Sequence, residues 1–324
     1  MPVRTAVLAI VAALASTAAA QELGVSLQPG PGHPVSQNIR GWQACLEDAD
    51  GALSTTLFPA AQLYRDAETA AAVGAGDVAL GAVSFKRLKR RAPSVGALSA
   101  PFLLSTREDL RAAFAEGSAF RALAERQIEA AHDVKVLWWL PYTRAVLVSK
   151  TPAARPDALR DQRLRVTGKA GLEFAAALGA QPVVMSRGKQ FLAYQQGAVD
   201  AGVTTLDEVS AFRLFDVAPY LTLLFSHVEG YAVVMNHDLH AAAPDAEKAL
   251  IARCAAAAGA EMLDDLFSRE TALLAGLPPE ARVVEPFADE QALWREATAP
   301  VIGALRETIA DALDALAADA AQGQ

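Results

Sequence analysis

The sequence predicts an α/β protein with two hinge-linked domains, a cleft between them and a long C-terminal helix. Short apolar runs typical of strands alternate with helix-like runs along most of the chain, an order typical of parallel strands joined by crossover helices. The length of 324 residues suggests roughly two domains. Hydrophobic residues make up 52% of the chain and charged residues 20%, so there is enough apolar material for buried cores.

The first part of the chain reads as a β-α-β-α-β series. It consists of strands over 23–28, 53–58 and 77–83 and helices over about 35–48 and 66–73. Residues 74–79 match a loose G-x-G-x-x-A, but a helix precedes them and a strand follows. A dinucleotide-binding loop needs the opposite order, so we interpret this segment as the turn that ends a helix.

The middle of the chain repeats the pattern and the last part is mostly helical. Apolar runs predict strands over 134–140, 145–149, 163–166, 182–185, 201–205, 221–225 and 231–236, with helices over 172–178 and 191–196. An Ala-rich amphipathic stretch from about 290 to 320 has few helix breakers after Pro300. We therefore expect one long terminal helix.

No linker rich in Pro, Gly or Ser separates the two α/β sections. We therefore predict discontinuous domains joined by strands near 141–145 and 226–232. Domain I comprises 21–143 plus about 230–270, and domain II comprises 144–229 plus about 271–324. A cleft between two such domains is the usual place for a ligand.

The N-terminal segment 1–20 has the features of a cleaved signal peptide. Arg4 precedes the apolar run 6–15, and Ala18-Ala19-Ala20 fits a cleavage site before Gln21. The run is too short for a membrane-spanning helix, although an N-terminal anchor is the alternative. We expect a mature protein in the periplasm.

Charge and cysteine content restrict the possible partners. The net charge of −8 argues against nucleic acid, which rewards a basic surface. Two cysteines, Cys45 and Cys254, are too few for a disulfide framework. We expect two buried free thiols, with a single bridge as the alternative. No motif indicates a nucleophile, a metal site or a cofactor, so we expect neither catalysis nor a bound cofactor or metal.

Several segments resemble substrate-binding proteins of TRAP transporters (tripartite ATP-independent periplasmic transporters) of the DctP type. The matching segments are 53–63 (LSTTLFPAAQL), 76–80 (GDVAL), 100–104 (APFLL), 157–166 (DALRDQRLRV), 178–185 (LGAQPVVM) and 193–200 (AYQQGAVD). They occur in the family's order between about residues 23 and 240. The resemblance implies a periplasmic-binding-protein-like fold of type II, with two domains that close on a ligand around a hinge.

The resemblance also implies a ligand carboxylate held by a buried arginine, and the motif places this arginine at Arg165. The alternating strand around it supports that role, because a buried guanidinium needs an anionic partner and its planar fork suits a carboxylate. A second family arginine corresponds to Arg144. Either side chain could instead pair with an acidic residue of the protein.

The sequence departs from the family at positions that the family places in the ligand site. Arg187 and Lys189 replace an aromatic and an acidic residue, and Thr204 replaces an asparagine. Ala82 replaces a glutamate of the sugar-acid-binding branch, which argues against a ligand like sialic acid. The two extra cations favour a ligand with two anionic groups, unless both side chains reach solvent. Arg187, Thr204 and Gln28 complete the candidate binding residues.

These features together predict a monomeric receptor that passes a small organic anion to the membrane subunits of a TRAP permease. The anion is a carboxylate, and dicarboxylates are among the candidates. A receptor for another transporter class or for signalling is the first alternative. A periplasmic enzyme that acts on small acids is the second, and it would need an aligned nucleophile or base in the cleft.

Overall fold

The computed structural model describes residues 21–49 and 53–322, so the predicted signal peptide lies outside the described residues. The β-strands in this part of the chain are β1 (Gln21–Leu27), β2 (Leu53–Phe58), β3 (Leu80–Ser84), β4 (Val134–Ser149), β5 (Arg163–Val166), β6 (Gln181–Val184), β7 (Ala201–Thr205), β8 (Tyr220–Thr222), β9 (Val228–Asn236) and β10 (Arg282–Val284).

The α-helices of the described residues lie between these strands and at the C-terminus. They are α1 (Pro34–Glu47), α2 (Asp66–Gly74), α3 (Phe85–Leu88), α4 (Arg107–Phe114), α5 (Ala119–His132), α6 (Gly168–Ala177), α7 (Gln190–Gln195), α8 (Leu206–Ala211), α9 (His237–Ala242), α10 (Asp245–Ala275) and α11 (Ala288–Gln322). The helix α2 ends in the predicted turn, where Gly76 has a φ of +80°, a value that glycine adopts without steric cost.

The strands form one continuous path in the order β2-β1-β3-β9-β4-β7-β5-β6, with β8 and β10 beside β4. The pairs β1/β2, β1/β3, β5/β6 and β5/β7 are parallel, as expected for strands joined by crossover helices. The pairings of β4 and β9 with their neighbours are antiparallel. The predicted α/β class with two domains is confirmed.

The strand β4 belongs to both halves of the structure. The sequence predicted two strands here, but one strand runs through Pro141, with a change of register between Pro141 and Thr143. β4 pairs with β9 up to Arg144 and with β7 from Ala145 onward. Proline has no backbone N–H and cannot make one of the hydrogen bonds of the ladder. The bulge accommodates this missing bond, so the strand continues on both sides of Pro141.

The terminal helix α11 is long, as predicted, and contacts both halves. Trp294 packs in a core with Leu164 and Leu147 of the second half, whereas Ile309 and Leu316 pack in a core of the first half. The helix bends at Ile309, whose φ of −119° is not helical. The division into 21–143 plus 230–270 and 144–229 plus 271–324 stays a prediction, and α11 packs on both parts.

The expectation of two free thiols is wrong. Cys45 on α1 and Cys254 on α10 form a disulfide, with their Cα atoms 5.8 Å apart. The two helices pack side by side on β4 and are separated by 209 residues in sequence. This proximity depends on the tertiary fold, so the spacing of the cysteines could not reveal it.

Candidate ligand-binding cleft

The parallel strands of both halves present their C-terminal ends to one region, the usual position of ligands in open α/β sheets. In the first half, Gln28 and His33 follow β1. In the second half, Arg165 lies near the end of β5, Met185 follows β6 and Thr204 lies near the end of β7. We call this region the candidate cleft.

Arg165 is the most buried cation of the cleft, with 2% of its surface exposed. Its Nη1 donates to the carbonyl oxygen of Val203 at 2.7 Å and its Nη2 to that of Met185 at 3.2 Å. No carboxylate of the described residues lies within 4 Å of it, and its Nε has no hydrogen-bond partner there. Three of the five N–H groups of a guanidinium therefore remain available.

Burial lowers the pKa of Arg165, while Glu208 acts in the opposite direction. The guanidinium still carries its charge at neutral pH, since arginine is not deprotonated in proteins. A buried and uncompensated charge is costly unless a counter-ion reaches it. This arrangement is suited to an anionic partner, and a ligand carboxylate at Arg165 stays a prediction.

Gly202 allows the close packing beside Arg165. A Cβ atom at this position would lie 2.6 Å from the hydroxyl oxygen of Tyr194 and 3.2 Å from the Cβ of Arg165. The Tyr194 hydroxyl donates to the carbonyl oxygen of Val148 at 2.9 Å. The glycine therefore lets β5, β7 and Tyr194 hold the base of the Arg165 side chain in place.

Arg144 has a carboxylate of the protein as its partner. Its Nε and Nη2 donate to the two carboxylate oxygens of Glu270 on α10, at 2.8 and 2.5 Å, and its Nη1 donates to the carbonyl oxygen of Ser105. The guanidinium also lies over the ring of Phe225, 3.8 Å from its centre. The internal partner that the sequence left open as an alternative is therefore present.

Arg187 lies in the cleft, where it joins two carboxylates. Its Nη1 is 2.7 Å from Glu208 on α8, and its Nη2 is 3.0 Å from Glu229 on β9. Although burial acts in the opposite direction, Glu229 and Glu208 raise the pKa of Arg187. The side chain faces the cleft, and the protein itself neutralises its charge. Lys189 is exposed.

Thr204 is committed to a hydrogen bond within the protein. Its hydroxyl donates to Glu208 at 2.5 Å and accepts from the amide of Gln190 at 3.4 Å. Burial raises the pKa of Glu208, and Arg187 acts against this shift. Thr204 therefore holds Glu208 in position, and its one proton is already used.

Gln28 also serves the local structure. Its side-chain oxygen accepts from the backbone N–H of Asp66 at 2.9 Å, which satisfies a free donor at the start of α2. The carboxylate of Asp66 in turn accepts from Ser84 and Arg87. The side-chain amide nitrogen of Gln28 is the group left to donate a hydrogen bond to a ligand.

An aromatic group lies on the first half of the molecule at the candidate cleft, and sequence reasoning did not find it. The ring of His33 lies 4.6 Å from that of Tyr142 and 6.5 Å from that of Tyr231, measured between ring centres. Burial raises the pKa of both tyrosines, so their hydroxyls stay protonated. The three residues are far apart in sequence, and no motif connects them.

Two open depressions of 330 and 650 Å³ lie around Pro156, Asp157 and Ala297, and they contain none of the cleft residues. Within residues 21–49 and 53–322, no group of three or more His, Cys, Asp or Glu side chains could hold a metal ion. In the same part of the chain, no helix is long and apolar enough to cross a bilayer.

The two halves, the crossing strands and the cleft between strand ends define a two-domain solute-binding protein of the periplasmic-binding fold. A family model described as "Bacterial extracellular solute-binding protein, family 7" (DctP) matches residues 25–308. The chain belongs to this family, which comprises the receptors of TRAP transporters. The resemblance seen in the sequence is confirmed.

Named relatives and solved structures agree with this assignment. The C4-dicarboxylate-binding protein DctB of Bacillus subtilis is 26% identical over 210 residues, which cover 63% of this chain and 58% of DctB. The sialic acid-binding periplasmic protein SiaP of Vibrio cholerae is 24% identical over 88% of this chain and 90% of SiaP. A TRAP periplasmic solute-binding protein of Ochrobactrum anthropi has a TM-score of 0.86 at 19% identity, covering 94% of this chain and 95% of that one.

Proposed function

We propose that this protein is a periplasmic receptor that binds a small organic carboxylate between its domains and delivers it to the membrane subunits of a TRAP permease. Arg165 carries this proposal. It is a buried guanidinium with three free N–H groups and no carboxylate partner among the described residues. A planar guanidinium binds a carboxylate through two parallel hydrogen bonds.

Ligand binding favours domain closure in this proposal. Arg165 belongs to the second half of the molecule, whereas His33 and Tyr231 approach the cleft from the first half. A ligand that contacts both halves binds the closed form more tightly than the open form, and this difference shifts the population toward closure. The strands β4 and β9 run between the halves and are the natural hinge.

We propose a binding role without catalysis. The Arg165 guanidinium offers only hydrogen-bond donors and is not deprotonated near neutral pH. It can therefore hold a carboxylate but cannot act as a general acid or base. Thr204 and Glu208 are bonded to each other. The family to which the chain belongs consists of solute-binding proteins. We infer secretion through the signal peptide over 1–20 and function as a monomer.

Two steps test the proposal. Purified mature protein is first screened by thermal shift against organic acids, because a ligand at 100 times its Kd adds about 2.7 kcal/mol of stability. Titration calorimetry then compares the wild type with Arg165→Ala and Arg165→Lys. Truncation leaves the ligand charge buried and unpaired, at a cost of about 3–5 kcal/mol, or roughly two to four decades in Kd. Lysine restores only part of the affinity, since it lacks the fork.

Arg163→Ala is the matched control. Arg163 lies on the same strand, two residues earlier, and its guanidinium pairs with Asp200 at 2.6 Å. This variant keeps the ligand affinity of the wild type. A folded Arg165→Ala protein that binds within threefold of the wild type would show that the carboxylate does not bind at Arg165.

A further inference from the structure

The charges of the cleft disfavour a ligand with two anionic groups. The expectation of such a ligand rested on Arg187 and Lys189 as additional cations, but Lys189 is exposed and Arg187 is held between Glu208 and Glu229. This group of three side chains, which we call the acidic clamp, carries two carboxylates and one guanidinium. Its formal charge is therefore −1, and a second anionic group of a ligand would meet net negative charge there.

The acidic clamp and Arg165 belong to the same site because they share two backbone segments. The carbonyl oxygen of Met185 accepts from Arg165, and Arg187 follows two residues later. The carbonyl oxygen of Val203 accepts from Arg165, and the next residue, Thr204, donates to Glu208. A small molecule bound to Arg165 therefore has the clamp as its neighbour.

Glu229 is the more accessible of the two carboxylates in the clamp. Its side chain is 33% exposed, compared with 12% for Glu208. Within the described residues, only Oε2 of Glu229 has a hydrogen-bond partner, which is Arg187. The second oxygen is free to accept from a ligand, and a carboxylate accepts best from a charged or strongly polar N–H donor.

The other arginines near the cleft are paired with carboxylates of the protein. Arg144 is paired with Glu270, Arg87 with Asp66, and Arg269 with both Asp207 and Asp265. The ammonium group of Lys89 donates to the hydroxyl of Ser99 at 3.1 Å and attracts Glu229 without forming an ion pair within 4 Å. Among the arginines of the cleft, Arg165 alone has no carboxylate within 4 Å in the described part of the chain.

We infer that the ligand is a small monocarboxylate that carries a nitrogen hydrogen-bond donor, with its carboxylate on Arg165 and its donor on Glu229. This inference rests on the proposed function. It assigns to Arg187, Glu208 and Glu229 the selection of amino acids and similar zwitterions over dicarboxylates. Arg187 in this arrangement orients the two carboxylates and does not hold a second anionic group.

Calorimetry with four-carbon acids tests the inference. The probes are butyrate, succinate and 2-, 3- and 4-aminobutyrate, so that only the substituent and its distance from the carboxylate change. We expect at least one aminobutyrate to bind about 10-fold or more tightly than butyrate, a typical gain for one charge-assisted hydrogen bond. Succinate binds more weakly than butyrate, because its second carboxylate faces the clamp.

Two variants locate the effect. Glu229→Gln keeps the shape of the side chain, and it weakens the preferred aminobutyrate about 10-fold while butyrate stays within twofold. The matched control is Glu173→Gln, on α6 and paired with Lys169, which changes neither ligand.

The outcomes separate the two proposals. One outcome overturns the inference and leaves the receptor function in place. In that outcome, succinate binds the wild type more tightly than every aminobutyrate does, and Arg165→Ala abolishes succinate binding. If none of these probes binds with a Kd below about 1 mM, the carboxylate-binding function fails and the inference fails with it. The ranking of probes on the wild type does not depend on the folding of any variant.

Discussion

Replacement of Arg144 by methionine decides whether this residue stabilises the fold or binds the ligand. Arg144 is 5% exposed and Glu270 is 6% exposed, and both carboxylate oxygens of Glu270 accept from the guanidinium. Methionine keeps much of the side-chain volume but leaves the Glu270 carboxylate buried without a cation. Removing one partner of a buried ion pair costs about 3–5 kcal/mol.

The double variant isolates the ion pair. In Arg144→Met/Glu270→Leu no charge remains buried, and apolar replacements of such pairs are often neutral. We expect it to be destabilised by no more than about 1–2 kcal/mol, part of which is the lost hydrogen bond to Ser105. The double variant is then more stable than Arg144→Met alone by about 2–3 kcal/mol, because no unpaired carboxylate remains buried.

Thermal and urea unfolding measure these differences. For a chain of about 300 residues, 1 kcal/mol corresponds to roughly 1.5–2 °C in Tm, so Arg144→Met lowers Tm by about 5–10 °C. Arg111→Met is the control, since Arg111 also pairs with α10, at Asp264, but both side chains are more than half exposed. Its loss stays below about 1 kcal/mol.

One result would refute this reasoning. If Arg144→Met unfolds like the wild type and loses more than about 100-fold in ligand affinity, then Glu270 is not its partner in solution. Arg144 would then bind the ligand, as the family resemblance implied.

Two further predictions concern stability. Cys45→Ser/Cys254→Ser removes a cross-link over 209 residues, and the loss of stability expected from chain entropy is about 5 kcal/mol. Urea unfolding with and without reductant measures this loss. An unchanged unfolding midpoint after complete reduction contradicts the prediction. Burial lowers the pKa of His33 from 6.5 to about 4, so below pH 6.5 the unfolded chain takes up a proton that the folded chain does not. Stability therefore falls between pH 6.5 and 4 by about 3 kcal/mol from this residue and levels off at lower pH. His33 caps the start of α1, where its Nδ1 accepts from the backbone N–H of Val35 at 3.2 Å. His33→Asn keeps a capping side chain there and removes the titrating group. If the stability curves of variant and wild type stay parallel over that pH range, His33 does not titrate as expected.

The order of strands and helices was readable from the sequence because it depends on local pattern. Strands 53–58, 163–166 and 201–205 were predicted with their observed bounds, since short β-branched runs between turns have few other interpretations. The continuity of β4 was not readable. Proline normally interrupts a strand, and the bulge that accommodates Pro141 depends on its pairing with β9.

The sequence by itself determined the α/β class, the family and the location of Arg165 on a strand, because each of these depends on a contiguous run of residues. Only the tertiary structure decided which charges are compensated. Glu270 lies 126 residues from Arg144, and Glu229 lies 42 residues from Arg187. Ion pairing depends on distance in space and on burial, and a sequence contains neither for residues on different elements. The partners of Arg144 and Arg187, the disulfide between α1 and α10, and the free guanidinium of Arg165 therefore became visible only in the folded chain.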